Sequence, residues 1–166
     1  MTGAEARPGE TYWQAIEPIW ETISIYDGPE VFLQQLQSVD RELGLLFAMH
    51  WCTSEVRNGG FHQFFHNPTG VLAPEALDGF KTVGLPKFAA LLEQAMSFFG
   101  PSYPRDRAER MALLDSYAEK DPTPNEPHLE GWNPFRGLDD QFFQALHSDN
   151  GGFERRADDF ARRLSK

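Results

Sequence analysis

Seventeen residues, Ser54 to Gly70 (SEVRNGGFHQFFHNPTG), restrict what this chain can fold into more than any other stretch. An apolar helical pattern runs up to Asn58. Gly59 and Gly60 can then take the positive φ that a helix end needs. Phe61, Phe64 and Phe65 recur at helical spacing, and Asn67-Pro68-Thr69-Gly70 reads as a turn with proline at its second position. Two helical segments joined by a sharp corner lined with phenylalanine build a core. The pattern predicts helices and says little about chemistry.

The rest of the chain repeats the helical period. Trp13, Ile16, Trp20 and Ile23 fall on one helical face, with Glu10, Gln14, Glu17 and Glu21 on another. Pro18 removes a backbone donor and crowds the carbonyl of Gln14, so a kink there, or a start near Glu17, is expected. Asp27-Gly28-Pro29 is a turn into a short helix over Val31–Leu36. Asp40–Arg57 places Leu43, Leu46, Phe47, His50 and Trp51 on or near one stripe, carries apolar residues on several sides, and reads as the central helix. Ala73-Pro74-Glu75 opens a helix that should end at Gly84, and Pro86–Phe99 forms another. Pro104 is expected to start a charged helix with Ala108, Met111, Leu114 and Ala118 inward. Residues 121–134 are rich in Pro and Gly and read as a loop. Phe135, Leu138, Phe142 and Leu146 form a further stripe, and an amphipathic helix follows over Phe153–Leu164. Asn150-Gly151-Gly152-Phe153 repeats Asn58-Gly59-Gly60-Phe61, which we read as two uses of one helix-ending device. No run has the alternation of a strand. The expectation is an all-α fold, a single irregular multi-helix bundle of about eight helices over residues 10–166, after a flexible N-terminus at 1–9. A chain of 166 residues can bury ~70% of the surface its unfolded form exposes.

Charge narrows the possible partners. Asp and Glu number 25 against 15 Lys and Arg, a net charge of −10. Direct nucleic-acid binding is disfavoured, because phosphate contacts need cations. The negative charge is segregated. Residues 1–30 hold six acids and one base, and residues 115–149 hold eight acids and two bases. Residues 61–114 are balanced at five of each, and residues 150–166 carry a net +2. The single cysteine, Cys52, rules out an internal disulfide and fits a reducing compartment. The N-terminus lacks the features of a signal peptide, and no apolar run is long enough to span a membrane. A cytoplasmic location is expected.

No catalytic constellation is assembled in the sequence. His62 and His66 have the spacing of two zinc ligands, but position 63 is Gln where a zinc-protease helix carries Glu. They read as residues flanking the corner, with a metal-dependent enzyme as the alternative. Cys52 reads as a buried structural thiol, since His50, two residues away on a helix, points elsewhere. Asp139-Asp140 and Asp158-Asp159 diverge on their helices and read as surface acids. Phosphate loops, dinucleotide fingerprints and nucleophile elbows are absent, and no cofactor is expected. The acids remain. Glu17–Glu21 and Asp115–Glu119 stand four apart, about 6 Å on a helix. DNA presents a phosphate every ~3.4 Å along a strand, so such rows can imitate part of a phosphate ladder. Glu10, Glu17, Glu21, Asp27, Asp115, Glu119, Asp121, Glu126 and Glu130 are therefore the candidate partner-binding residues, with metal and catalytic residues both set at none.

The run HWCTSEVRNGGFHQFFHNPTGVLAPEAL, with YWQAIEPIWETISIYDGPEVF before it and YPRDRAERMALLD after it, resembles the bacterial DNA-mimic protein family. Most of that family is known only as a domain of unknown function. The likeness runs from about Tyr12 to Leu164, and NGGFxQFF (Asn58 to Phe65) is its most specific part. The resemblance implies an all-helical fold, no catalysis, a possible homodimer, and an acidic surface that occupies the DNA-binding face of a transcription factor or other basic DNA-binding protein. The alternative is a cytoplasmic interaction or immunity-type module that binds by apolar contact, its acids serving solubility only.

Overall fold

The computed structural model describes residues 5–120 and 132–166, and among them it is all-helical, without strands. Eight α-helices follow in order: α1 (Glu10–Ile16), α2 (Pro29–Leu36), α3 (Arg41–His66), α4 (Ala73–Val83), α5 (Pro86–Ser97), α6 (Arg107–Ala118), α7 (Arg136–Ser148) and α8 (Phe153–Leu164). Three short 3-10 turns join them at Glu17–Ile19, Pro68–Leu72 and Asp149–Gly151. The expected loop lies almost wholly outside the described residues.

α3 is the spine. α4, α6, α7 and α1 all pack on it, α5 bridges α4 and α7, and α8 closes over α1. Leu45 to Met49, Cys52 and Val56 on its first half are buried, as are Phe61, Phe64 and Phe65 on its second. Phenylalanines then carry the core outward. Phe61 meets Phe142 edge-on at 5.4 Å between ring centres, Phe142 meets Phe88 at 4.6 Å, and Phe88 stacks on Phe80 at 5.2 Å. Aromatic pairs of this kind add to plain area burial.

The corner inside α3 divides its work between two glycines. Gly60 has φ +75° and ψ −179°, a region open almost only to glycine. Gly59 does not take the positive φ expected of it. Its φ is −152°, and what it supplies is space, because a Cβ there would lie 1.9 Å from the side-chain oxygen of Gln63. That Gln63 amide crosses the corner to Glu55 Oε2 at 2.8 Å, where Asn67 Nδ2 also donates at 3.0 Å. The second copy of the tetrapeptide behaves alike where it matters. Gly152 has φ +96° and ψ 159°, and Phe153 begins α8 as Phe61 begins the second half of α3. The device starts a helix as much as it ends one.

Several expectations need correction. α1 ends at Ile16, and Pro18 sits in a 3-10 turn, so the stripe through Trp20 and Ile23 is not one continuous helix face. α6 begins at Arg107, not Pro104, because Asp106 caps it by accepting from the Glu109 N–H at 3.0 Å. Its inward face is also rotated. Ala108 is exposed, and Arg110 is buried beside Leu114.

Asp139 and Asp158 are not surface acids. Asp158 accepts from the N–H groups of Gly9 and Tyr12 at 2.8 and 2.9 Å, capping α1 from α8. Asp139 accepts from the Phe61 N–H at 2.8 Å, capping the second half of α3 from α7. Burial raises the Asp139 carboxyl above its ordinary value, while the Phe61 N–H draws it back. Asp149 does the same for α5, accepting from Lys87 and Phe88 at 2.9 and 3.0 Å. Pro86 opens that helix behind Leu85, which has no side-chain acceptor, so the cap comes from 62 residues away. We expect Asp149→Ala to cost about 1–2 kcal/mol. Calorimetry should show the melting temperature falling by roughly 2–8 °C. An unchanged melting temperature would show that water caps α5 equally well.

Candidate partner-binding surface

The acids singled out from the sequence divide into three groups. Asp121, Glu126 and Glu130 lie outside the described residues. Glu10, Glu17, Glu21 and Asp27 belong to the N-terminal segment, and Asp115 and Glu119 to the end of α6; all six are exposed. The ion pairs among the described residues are Arg41–Asp78, Arg57–Glu154, Lys81–Glu93, Arg105–Glu75 and Arg162–Asp159, and none involves these six.

Helix dipoles separate acids with a local reason from acids without one. Glu10 sits in the first turn of α1, where a carboxylate is favoured, and it accepts from the Arg7 N–H at 2.9 Å. Asp115 is in the last turn of α6 and Glu119 is its C-cap, where the dipole disfavours negative charge by ~0.3–1 kcal/mol each. No base stands in that last turn to offset them.

The two described groups are mounted on different halves of α3. α1 lies against the first half, with Trp13 5.1 Å from the His50 ring. α6 lies against the second half through Arg110, which donates to the Phe65 carbonyl at 2.8 Å. Of the remaining acids in 115–149, Asp139 and Asp149 serve as caps and Asp140 is exposed.

The bases that could have neutralised this surface are turned to other work. After His66 the chain bends through Pro68–Leu72, leaving carbonyls that no helix satisfies. Residues 103–110 supply the donors. Arg107 Nε reaches His66 O at 2.9 Å, Tyr103 Oη reaches Gly70 O at 2.6 Å, and Arg105 Nη1 reaches Val71 O at 2.8 Å. Arg110 donates to the carbonyls of Phe65, Asn67, Pro104 and Arg105. Arg105 also grips Glu75 with both terminal nitrogens, at 2.9 and 2.7 Å. The balanced charge of the middle segment is thus partly internal. No sequence signal marked these arginines, because an arginine on a charged helix is ordinarily solvated.

Aromatic side chains share the N-terminal surface. Trp13 is 36% exposed and Tyr26, next to Asp27, is 73% exposed. Trp13 contacts Trp20 at 5.1 Å, and Trp20 stacks on Trp51 at 5.0 Å and 19°. His50 lies among all three rings and meets the Tyr12 hydroxyl at 3.1 Å through Nδ1. Burial lowers the His50 pKa from 6.5 to about 4 and pushes Tyr12 up to about 12. The pair fits a neutral imidazole accepting the phenol proton.

This histidine gives a pH dependence of definite sign. A folded-state value of about 4 against an unfolded 6.5 means that the unfolded chain binds the proton first as pH falls. Stability is complete above pH ~6.5 and is lost toward pH ~4, with roughly 2 kcal/mol gone by pH 5. Urea unfolding of the parent and of His50→Gln at pH 7.5 and 5 checks this. The variant should lose less between the two pH values, and equal losses would remove His50 as the cause.

His62 and His66 lie with their rings parallel, 17° apart and 5.9 Å between centres. No group of three or more His, Cys, Asp or Glu able to hold a metal occurs among the described residues. Cys52 is fully buried, and burial, with Glu55 second, raises its thiol well above the ordinary value, which disfavours a nucleophilic thiolate. No helix among the described residues is long and apolar enough to cross a membrane.

The fold and surface define an all-helical protein of net charge −10 whose described candidate acids stand exposed and outside ion pairs. The profile of the DMP19-like protein family matches residues 37–164, and the chain belongs to that family. The resemblance to a DNA-mimic family is thereby borne out. The match begins just after α2, so Glu10, Glu17, Glu21 and Asp27 stand outside it while Asp115 and Glu119 stand within. Comparisons with curated proteins and with solved structures find no match.

Proposed function

We propose that this chain is a non-enzymatic binding protein of the DNA-mimic type. It presents carboxylates to the DNA-binding surface of a basic protein and competes there with DNA. The observation that carries the reading is the set of six exposed acids that no base of the described residues pairs, in a member of the DMP19-like family. A carboxylate already held by an arginine of its own chain offers a partner little. No arginine side chain among the described residues ion-pairs Glu10, Glu17, Glu21, Asp27, Asp115 or Glu119. Asp121, Glu126 and Glu130 belong to the same proposal, as do the cytoplasmic location and a homodimer, which sedimentation would reveal.

The test is displacement. DNA-binding proteins from the same cells, fractionated on heparin and loaded with labelled DNA, are titrated with this protein. We expect at least one to release its DNA, with affinity for the protein falling by at least about tenfold between 50 and 200 mM salt. Release from none of them, or an affinity indifferent to salt, would overturn the reading. Exposed Phe143 on α7 favours the apolar-contact alternative at that face. That alternative predicts binding that survives high salt.

A further inference from the structure

The acidic N-terminal surface has a feature that imitation of a phosphate ladder does not require. Glu10, Trp13 and Glu17 are spaced three and four apart, and the backbone keeps its helical φ/ψ through Glu17. Their backbone positions therefore fall on one side of α1 and the turn that follows it, with Trp13 about one helical turn from each acid. More than a third of Trp13 is exposed, and its ring is braced by Trp20 and His50, both at 5.1 Å between centres. No base among the described residues forms an ion pair with Glu10 or Glu17, and Glu10 accepts from the Arg7 N–H at 2.9 Å and from the Gln14 side-chain amide at 3.4 Å. Trp20 in turn stacks at 5.0 Å on Trp51, whose Nε1 is buried without a hydrogen-bond partner among the described residues.

We infer that this face is an arginine-binding site, in which a guanidinium of the basic partner lies on the Trp13 indole while Glu10 and Glu17 take its N–H groups. This rests on the proposed function and names its partner's chemistry. A carboxylate pair alone accepts lysine or arginine. A flat, exposed indole selects arginine, whose planar cation stacks on the ring and keeps its edge donors free for the carboxylates. Trp13 is also pre-organised by its neighbours, so little side-chain freedom is lost on binding. Tryptophan and arginine are both enriched among the residues that carry most of the binding energy at protein interfaces.

Calorimetric titration with acetylated deca-arginine and deca-lysine, at 50 mM salt, reads the selectivity. The variants are Trp13→Leu, which keeps apolar contact with Trp20 but has no π face, and Glu10→Gln/Glu17→Gln. Circular dichroism on each confirms the helices. For the parent we expect arginine to bind about three- to tenfold tighter than lysine. In Trp13→Leu the ratio should fall to about one with the lysine affinity unchanged, and the double variant should weaken both peptides. A ratio of one in the parent, or a preference that survives Trp13→Leu, overturns the inference. If both peptides bind equally and with steep salt dependence, the acidic-surface reading stands without the arginine site. If neither binds, the inference falls, and DNA displacement decides the broader reading separately.

Discussion

Arg110→Ala is expected to cost about 3–5 kcal/mol, a large share of the ~5–15 kcal/mol that holds a domain of this size together. Arg110 is fully buried and has no carboxylate partner among the described residues; its guanidinium is held by backbone carbonyls. Two of them, Phe65 O and Asn67 O, lie at the negative end of α3 and just past it, so the side chain completes a helix terminus and closes the turn after it. Burial lowers its pKa, but the group stays charged, as an arginine does. Gly70 makes room, since a Cβ there would lie 2.6 Å from Arg110 Nε. Removing the side chain leaves a cavity and at least two buried carbonyls unsatisfied, each worth about 1–3 kcal/mol. Arg110→Met separates these terms by filling the volume without donors, and Arg110→Lys should recover less than half of the loss because an ammonium cannot span the same fork. Urea midpoints for the three variants provide the measurement. Parent-like stability in Arg110→Met would mean that packing, not hydrogen bonding, is what matters there.

Gly60→Ala should be nearly as damaging, at about 2–5 kcal/mol. Backbone strain at φ +75° and ψ −179° contributes roughly 1–3 kcal/mol. The added methyl would also stand 2.5 Å from Asp139 Oδ2, the atom group that caps Phe61. Either Asp139 swings away and the cap is lost, at about 1–2 kcal/mol, or the corner opens. Gly152→Ala is a useful comparison. Its φ of +96° is as restrictive, and its Cβ would meet the Leu146 carbonyl at 2.8 Å, which is backbone and cannot rotate aside. Gly59→Ala lacks the φ penalty, and the Gln63 amide oxygen 1.9 Å from the added methyl can rotate aside, but the Gln63 Cβ at 2.8 Å cannot, so the backbone must still shift. If all three melt together with the parent, these corners are not constrained as described.

These variants also mark where the sequence is readable. The Asn58–Phe61 corner, the proline-led starts of α2, α4 and α5, and the αL glycine closing α4 at Gly84 are local devices, and each stands where its residues place it. Charge was legible as well, because it depends on composition alone. The caps were not. Asp139, Asp149 and Asp158 look like any helix acid until the N–H groups of Phe61, Lys87 and Gly9 are seen beside them. Arg110 is the clearest case, since an arginine on a charged helix reads as solvated, and it is the carbonyls of Phe65 and Asn67, 45 and 43 positions away, that hold it inside.

The sequence by itself determined the helical architecture, the position of the phenylalanine corner and the excess of carboxylates, because turn chemistry, periodicity and formal charge act over a few residues. Tertiary structure alone decided which charged groups are spent inside the molecule and which stand free on its surface. The long-range caps and carbonyl clamps join residues 33 to 149 positions apart, and no local pattern encodes that distance.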